Sequence, residues 1–402
     1  MKNFIFISPN FPDNYWRFCA ELKKNGLRVL GIGDCPYNQL RKELRDSLTD
    51  YYKVTSLENY DEVFRAVAFL TYKYGKIDWL ESNNEYWLER DAALRTAFNI
   101  TTGQQSADME KVKRKSAMKA YYAKAGIPTA RYHLVEDYEA TKAFAHEVGY
   151  PVVVKPDNGV GANNTYKLKS DADLDYFFAT KDSNLYIMEE FVNGEVRTYD
   201  GIIDSKGEPI FETGNVTPNS IMDVVNDSDN SIYYMVRYLP ENMRDLGRRT
   251  VKAFGVKSRF VHLEFFVLKE DQKGLGKKGD VIGLEVNMRP SGGYSPDMYN
   301  FANEVDVYKI WADMVAYDKS TMPMDRPHHF CAYCGRRDGK NFVMDDAAIR
   351  AKYGKNLKVR THPGRPRRRD GKPDVPVQLR HQGGNAAVLR RSAGHPRLIF
   401  AD

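Results

Sequence analysis

The chain has 402 residues, of which 42% are hydrophobic, 28% charged and 12% aromatic, enough for two or three packed units and too rich in Tyr and Phe for a generally disordered chain. No apolar run approaches the ~20 residues of a membrane span, and the opening Met1–Pro9 is too short for a secretory signal and reads as a first buried strand. The formal charge of +6 is uneven: residues 359–402 hold nine Arg and one Lys against three Asp, which leaves the other 358 residues at −1, so net charge does not by itself point to nucleic acid.

The first hundred residues alternate strand and helix signals. Phe4–Ile7, Arg28–Gly33, Asp50–Val54 and Ile77–Glu81 read as strands, and Tyr15–Lys24, Tyr60–Tyr74 and Glu85–Phe98 as helices. That rhythm predicts a parallel sheet with helices on its faces. Gly31-x-Gly33 lacks a third glycine and follows the second strand rather than the first, so it is not a dinucleotide fingerprint. Lys111–Ala125 reads as one helix, stopped by Gly126 and Pro128. Tyr138–Val148 and Asp171–Thr180 read as helices, with strands at Pro151–Pro156 and Leu185–Val192. Val196–Asp204 and Glu208–Thr213 form a predicted hairpin, and 215–230 a long loop of the kind that often binds ligands. Glu241–Phe254 is a predicted helix, Phe260–Leu268 and Val281–Arg289 are two strands, and Val305–Ala316 is helical.

The final stretch changes character. From Val359 it contains five Pro, three of the eight His and no Tyr. It reads as a disordered basic extension or as a foreign reading frame replacing the true terminus, and the abrupt change after Lys358 favours the second. Four cysteines in so long a chain make no disulfide framework, so a reducing cytoplasm is expected. His328-His329-Phe330-Cys331-Ala332-Tyr333-Cys334 has no second Cys pair to complete a zinc site, and is taken as two ordinary thiols near a strand.

The chemistry concentrates in the two late strands. Side chains alternate faces along a strand. Glu285, Asn287 and Arg289 therefore share one face, and His262, Glu264 and Phe266 share a face of the preceding strand. Two carboxylates in a partly apolar cleft repel one another and lose hydration. A hard divalent cation relieves both penalties, and Mg²⁺ prefers such oxygen ligands together with substrate phosphates. Either Glu alone would pass for a solvated strand face; Glu-x-Asn-x-Arg followed by Pro290-Ser291-Gly292-Gly293 points to function. His262 reads as a packed or hydrogen-bonded histidine rather than a ligand. Lys155 ends a strand and precedes a Gly/Asn loop with Gly159 and Gly161, a place where backbone N–H groups and a lysine can hold phosphate, although it is not a Walker A loop. The basic run around Lys115 passes for a solvated helix face. Glu189-Glu190-Phe191-Val192 followed by Glu195 is either a strand end and surface turn or a segment that meets an adenine edge and a ribose.

Together these motifs resemble the ATP-grasp superfamily, the carboxylate–amine ligases that include biotin carboxylase and carbamoyl-phosphate synthetase. The resemblance runs in order over roughly residues 1–320. It implies an α/β and α+β architecture: a parallel pre-ATP-grasp domain over 1–108, a linker helix and small lid over 109–192, and a catalytic domain with a larger antiparallel sheet over 193–358, followed by the basic tail 359–402. It further implies that Lys115, Lys155, Gly159 and Gly161 meet nucleotide phosphates. Glu189, Glu190, Phe191 and Val192 would form the adenine hinge, with Glu195 on the ribose. Glu264, Glu285 and Asn287 would bind Mg²⁺ or Mn²⁺, and Arg289 would face the reacting phosphate.

The implied reaction is ATP-dependent ligation. A carboxylate becomes an acyl phosphate, an amine, thiol or other nucleophile displaces phosphate, and lid closure excludes water. The implied partners are small molecules, a homodimer is compatible with them, and no membrane is involved. A non-catalytic nucleotide-binding module is the alternative. A nucleic-acid binder using the tail ranks last, for the tail has no aromatic residues interleaved to stack bases. Acceptor-site candidates are the 215–230 loop, Ser291–Tyr294 and Ser82–Glu85.

Overall fold

The first strand is buried along its whole length, as an Asn-Phe-Ile-Phe-Ile run requires when both sheet faces are covered. The structure, a computed structural model, describes residues 1–159, 164–218, 231–336, 342–361 and 397–401. It opens with β1 (Asn3–Ile7), α1 (Trp16–Lys24), β2 (Arg28–Gly33), α2 (Lys42–Ser47), β3 (Asp50–Lys53), α3 (Tyr60–Tyr74), β4 (Trp79–Glu81) and α4 (Leu88–Ala97). The four strands pair in parallel in the order β3-β2-β1-β4, as the alternation of signals predicts. Ligands of open parallel sheets gather at the carboxyl ends of the strands. Both Ser8, after β1, and Asn83, after β4, have positive φ there (56° and 54°).

The predicted helix 111–125 is two helices, α5 (Met109–Lys113) and α6 (Lys115–Lys124). Arg114 between them is extended. The break is held from outside. The Lys115 N–H donates to the Asp157 carbonyl (2.9 Å), while the Ser116 N–H and hydroxyl donate to the Asp157 carboxylate (2.8 and 3.0 Å). Asp157 thus caps α6 from a distant strand end, an interaction that helical periodicity cannot report. The consequence is functional: Lys115 becomes the first residue of a helix that starts beside the loop after Lys155.

A small antiparallel sheet follows: β5 (Tyr132–Val135), α7 (Tyr138–Val148), β6 (Val152–Pro156), β7 (Tyr166–Leu168), α8 (Asp171–Thr180) and β8 (Tyr186–Glu190), with strand order β5-β8-β6-β7. The large sheet contains β9 (Gly194–Ile203), β10 (Pro209–Thr213), β11 (Asn215–Thr217) and β12 (Ile232–Met235). After α9 (Glu241–Phe254) it continues with β13 (Arg259–Leu268) and β14 (Val281–Asn287). After α10 (Ser295–Asn303) and α11 (Val307–Tyr317) come β15 (Cys331–Gly335), α12 (Asp346–Tyr353), β16 (Leu357–Thr361) and β17 (Arg397–Ala401). Its order is β14-β13-β9-β11-β12-β15-β17-β16, with β10 beside β9. The large-sheet half packs on the first domain through aromatic side chains: Phe18 of α1 lies 4.7 Å from Tyr308 and 5.0 Å from Trp311, ring centre to ring centre.

Three expectations change here. The predicted loop from Asn215 begins as strand β11, and its residues 219–230 lie outside the described residues. Helix α10 was not predicted because its inward face includes Ser295, Asp297 and Asn303, which hides the apolar period. In the basic tail, residues 362–396 lie outside the described residues, yet Arg397–Ala401 pairs antiparallel with both Cys331–Gly335 and Leu357–Thr361. Of the two readings of the tail, the disordered extension is corrected for that strand, which carries the apolar run Leu398-Ile399-Phe400.

Gly247 in α9 shows how tightly the helix sits on the sheet. A Cβ there would lie 2.1 Å from the ring of Tyr199, which is fully buried on β9 and bonded to Glu212 (2.7 Å). Gly→Ala within a helix ordinarily gains up to about 1 kcal/mol. Overpacking a core costs about 1–3 kcal/mol, and a 2.1 Å approach belongs at the top of that range. Gly247→Ala is therefore expected to destabilise the protein by about 2 kcal/mol, read as a lower urea midpoint at unchanged slope.

Candidate active site

Antiparallel pairing of β13 and β14 sets His262 opposite Asn287 and Glu264 opposite Glu285, with a bulge immediately after Glu264. The two predicted carboxylates are thus directly cross-strand on one face, 17% and 23% exposed in their side chains. At the bulge, Gly283 lets Tyr122 of α6 approach: a Cβ there would lie 2.7 Å from its ring. The same glycine bridges Thr129, so α6 and the start of the small sheet are docked onto the acidic strand.

Each acid already has a cation. The Lys115 ammonium lies 3.1 Å from Glu285 and donates to the Gly159 carbonyl (3.3 Å). Glu264 lies 2.9 Å from His262 Nε2, and His262 Nδ1 lies 2.6 Å from Asp200 of β9. Burial alone would lower the pKa of His262, but Asp200 and Glu264 outweigh it and lift the imidazole to about 9. The histidine is hydrogen-bonded within the sheet, as read from its position. Arg289 donates to the Asn287 side-chain oxygen (3.1 Å) and the Pro290 carbonyl (2.8 Å), and its Nε lies 3.4 Å from Glu85. Glu85 also takes a bond from Lys113 (2.8 Å). Burial pushes its carboxyl up, but Lys113 and Arg289 hold it below the usual range.

The second cluster lies under the small sheet. Lys155, at the end of β6, is diagonal to Glu189 of β8 and pairs with it at 2.6 Å. Lys119 of α6 bonds the other Glu189 oxygen. Burial would raise the Glu189 carboxyl, but the two lysines outweigh it and hold it at about 2. Burial lowers the pKa of Lys119 despite Glu189, whereas Glu189 raises that of Lys155 despite burial. Glu285 and Glu264 also act on Lys155, which joins this cluster electrostatically to the acidic strands. Removing one partner of a buried pair costs about 3–5 kcal/mol. Glu189→Gln, which keeps the shape and removes the charge both lysines share, is expected at the low end, about 3 kcal/mol, in chemical denaturation at neutral pH.

The structure thus brings Lys115, Gly159, Glu264, Glu285, Asn287 and Arg289 into one chain of contacts, with Lys155 and Glu189 beside it. Gly161 lies outside the described residues. Glu190 is committed to Arg131, which donates from its backbone (2.7 Å) and its guanidinium (3.0 and 2.8 Å). The Phe191 carbonyl accepts from Gln272 (3.0 Å), Phe191 stacks against Lys167, and the Val192 carbonyl accepts from Gly194 (3.1 Å). Glu195 pairs with Arg197 (2.8 Å), apart from the acidic pair. Lys119, Lys113, Asp157 and Asp200 were not singled out in the sequence. Lys119 carried one usable signal: it follows Lys115 by four residues and precedes buried Tyr122 by three, so all three share a helix face.

The donor set around Glu264 and Glu285 is all oxygen, two carboxylates and an amide, which suits a hard divalent cation completed by phosphate oxygens. Among the described residues there is no group of three His, Cys, Asp or Glu that could hold a metal by itself. His328 and His329 bond Asn303 and Glu304 instead, and no described helix is long and apolar enough to cross a membrane.

No protein-family model matches the chain. It is 24% identical over 240 residues to an L-arginine-specific L-amino acid ligase of Bacillus subtilis, covering 58% of this chain and 56% of that one. It is 28% identical over 194 residues to a D-alanine–D-alanine ligase of Geobacillus thermodenitrificans (strain NG80-2), covering 45% of this chain and 51% of that one. The chain spans about half the length of the curated relatives it matches. The solved structure of an L-amino acid ligase from Bacillus licheniformis aligns with a TM-score of 0.71 at 16% identity, over 100% of this chain and 93% of that one. The fold read from the motifs is borne out: the chain has the ATP-grasp fold, a parallel sheet followed by a larger antiparallel one.

Proposed function

We propose that the chain is an ATP-dependent carboxylate–amine ligase that activates an amino-acid carboxylate as an acyl phosphate and passes it to an amine, releasing ADP and phosphate. One observation carries the reading: Glu264 and Glu285 face each other across two strands, with Asn287 and Arg289 continuing the same face toward Glu85. In this reading residues 1–108, 109–192 and 193–358 are the pre-ATP-grasp, lid and catalytic parts. Glu264, Glu285 and Asn287 would hold Mg²⁺ or Mn²⁺, which when bound neutralises phosphate charge. The amino-acid class is suggested by what the similar ligases are named for. A cytoplasmic location agrees with the sparse cysteines, and a homodimer is compatible with the reading.

The protein's part is positioning and electrostatics. Lys115 and Lys155 come from different elements and converge near the acids, so phosphates held between them tie α6 to the small sheet. Arg289, oriented by Asn287 and Glu85, supports the charge that develops on the transferring phosphoryl group. The adenine would lie along Glu189–Val192 and the ribose near Glu195. Closure of the small sheet excludes water from the acyl phosphate.

The test is a screen of paired amino acids and small carboxylates for ADP release, with mass spectrometry of the product. A condensed product formed with equimolar ADP supports the reading. Nucleotide binding without turnover on any pair overturns it.

A further inference from the structure

We infer that Arg259 is a positioning residue for Arg289, through which the N-terminal parallel sheet sets the arginine at the reacting phosphate; this rests on the ligase reading above. Arg259 opens β13 and is 1% exposed. A guanidinium so deeply buried carries a large desolvation penalty, which only well-placed partners offset. Its Nε and one terminal nitrogen both donate to the Met288 carbonyl (3.0 and 2.8 Å), and that terminal nitrogen also donates to Glu81 at the end of β4 (3.2 Å).

The choice of carbonyl is what gives the contact meaning. The β13–β14 ladder ends at the pair His262–Asn287, so the sheet no longer fixes the backbone at Met288. Because the peptide unit is planar, holding the Met288 oxygen also fixes the N–H and Cα of Arg289. Glu81 is itself anchored: Arg95 lies 3.4 Å from it and donates to the Leu80 and Gln104 carbonyls (2.8 and 2.7 Å). Four residues beyond Glu81, Glu85 meets the Arg289 guanidinium at 3.4 Å. The segment 81–85 therefore holds Arg289 at both ends, its backbone through Arg259 and its head group through Glu85. A simple staple between domains could use any carbonyl of either strand. This one uses the carbonyl adjoining Arg289.

Lysine at 259 keeps the charge but cannot reproduce a fork that reaches Met288 and Glu81 together. In the full-length chain, Arg259→Lys is expected to lower kcat at least tenfold while the KM for ATP stays within about twofold, the split expected when only the transition state loses support. In an Arg289→Lys background the same change should alter kcat less than twofold, since the residue it positions is already gone. Unchanged kcat in folded Arg259→Lys, or an effect that multiplies in full in the Arg289→Lys background, overturns the inference. Where Arg259→Lys does not fold, Glu81→Gln, which leaves an acceptor without the charge, is read by the same two measurements. The Arg289 Nε–H resonance, assigned by its loss in Arg289→Lys, gives a readout that needs no turnover. It should shift or broaden in Arg259→Lys or Glu81→Gln, and an unmoved signal overturns the inference even where the ligase reading has failed for want of any ADP release.

Discussion

Arg289→Ala is expected to lower the rate of ADP release with a true substrate by three orders of magnitude or more and to leave the fold in place. Arginines that meet a transferring phosphoryl group contribute about 10³–10⁵ in kcat. Arg289 lies two residues past Asn287, the last residue of β14, and Asn287 and the Pro290 carbonyl hold its guanidinium. The fold should tolerate the loss because Glu85, its carboxylate neighbour, keeps Lys113 at 2.8 Å. Glu285→Ala should be as damaging to turnover; because it strips the Lys115 ammonium of its carboxylate and leaves it the Gly159 carbonyl (3.3 Å), it should also cost about 3 kcal/mol, lowering the melting temperature without unfolding the protein. Circular dichroism and the melting temperature serve as the fold control. Turnover at the wild-type rate in both variants would remove the basis for the catalytic assignment.

The acidic face was legible because it depends only on strand alternation. Glu285, Asn287 and Arg289 at every second residue, and His262 and Glu264 likewise, fix which side chains share a surface. The register that sets Glu264 opposite Glu285 was not legible in the same way, because residues 269–280 separate the strands and a bulge follows Glu264. The βαβ start was legible for a similar local reason. What could not be read depends on contacts across long stretches of chain. Asp157 splits the helix at Arg114 from 41 residues downstream of Ser116, leaving no trace in helical period. Lys119 looked like part of a solvated basic run, and only the position of Glu189, 70 residues away, makes it buried. Glu190 reads as hinge material from its sequence, yet its side chain is taken by Arg131, 59 residues earlier. Charged residues were the hardest to place, because a charge shows in the sequence and its partner does not. Strand β17 was obscured in another way, by a composition that marks its surroundings as unlike the rest.

Lys115→Met is expected to have two opposite effects: nucleotide binds about a hundredfold more weakly, and Mn²⁺ in the absence of nucleotide binds at least tenfold more tightly. The first follows from loss of a phosphate-binding charge in a site of low exposure. The second follows from what Lys115 does before any phosphate arrives. Its ammonium stands 3.1 Å from Glu285, giving that carboxylate the positive charge a divalent cation would otherwise bring. Lys115 must leave Glu285 before a cation can take its place, and at 5% exposure it would then be a buried charge with the Gly159 carbonyl as its hydrogen-bond partner and only the weaker field of Glu85 beside it. Breaking such a pair costs about 3–5 kcal/mol. When phosphates are present the lysine moves from one anion to another and the penalty falls away. The wild-type site is therefore expected to take a metal ion together with nucleotide and scarcely at all without it. Methionine keeps the length of the side chain and removes the competitor, leaving Glu285 open while Glu264 stays with His262 (2.9 Å). Electron paramagnetic resonance of free Mn²⁺, titrated with and without ADP, reads both effects independently of turnover. If wild-type protein without nucleotide binds Mn²⁺ as tightly as Lys115→Met does, then Lys115 is not the group that keeps the acidic pair closed to metal.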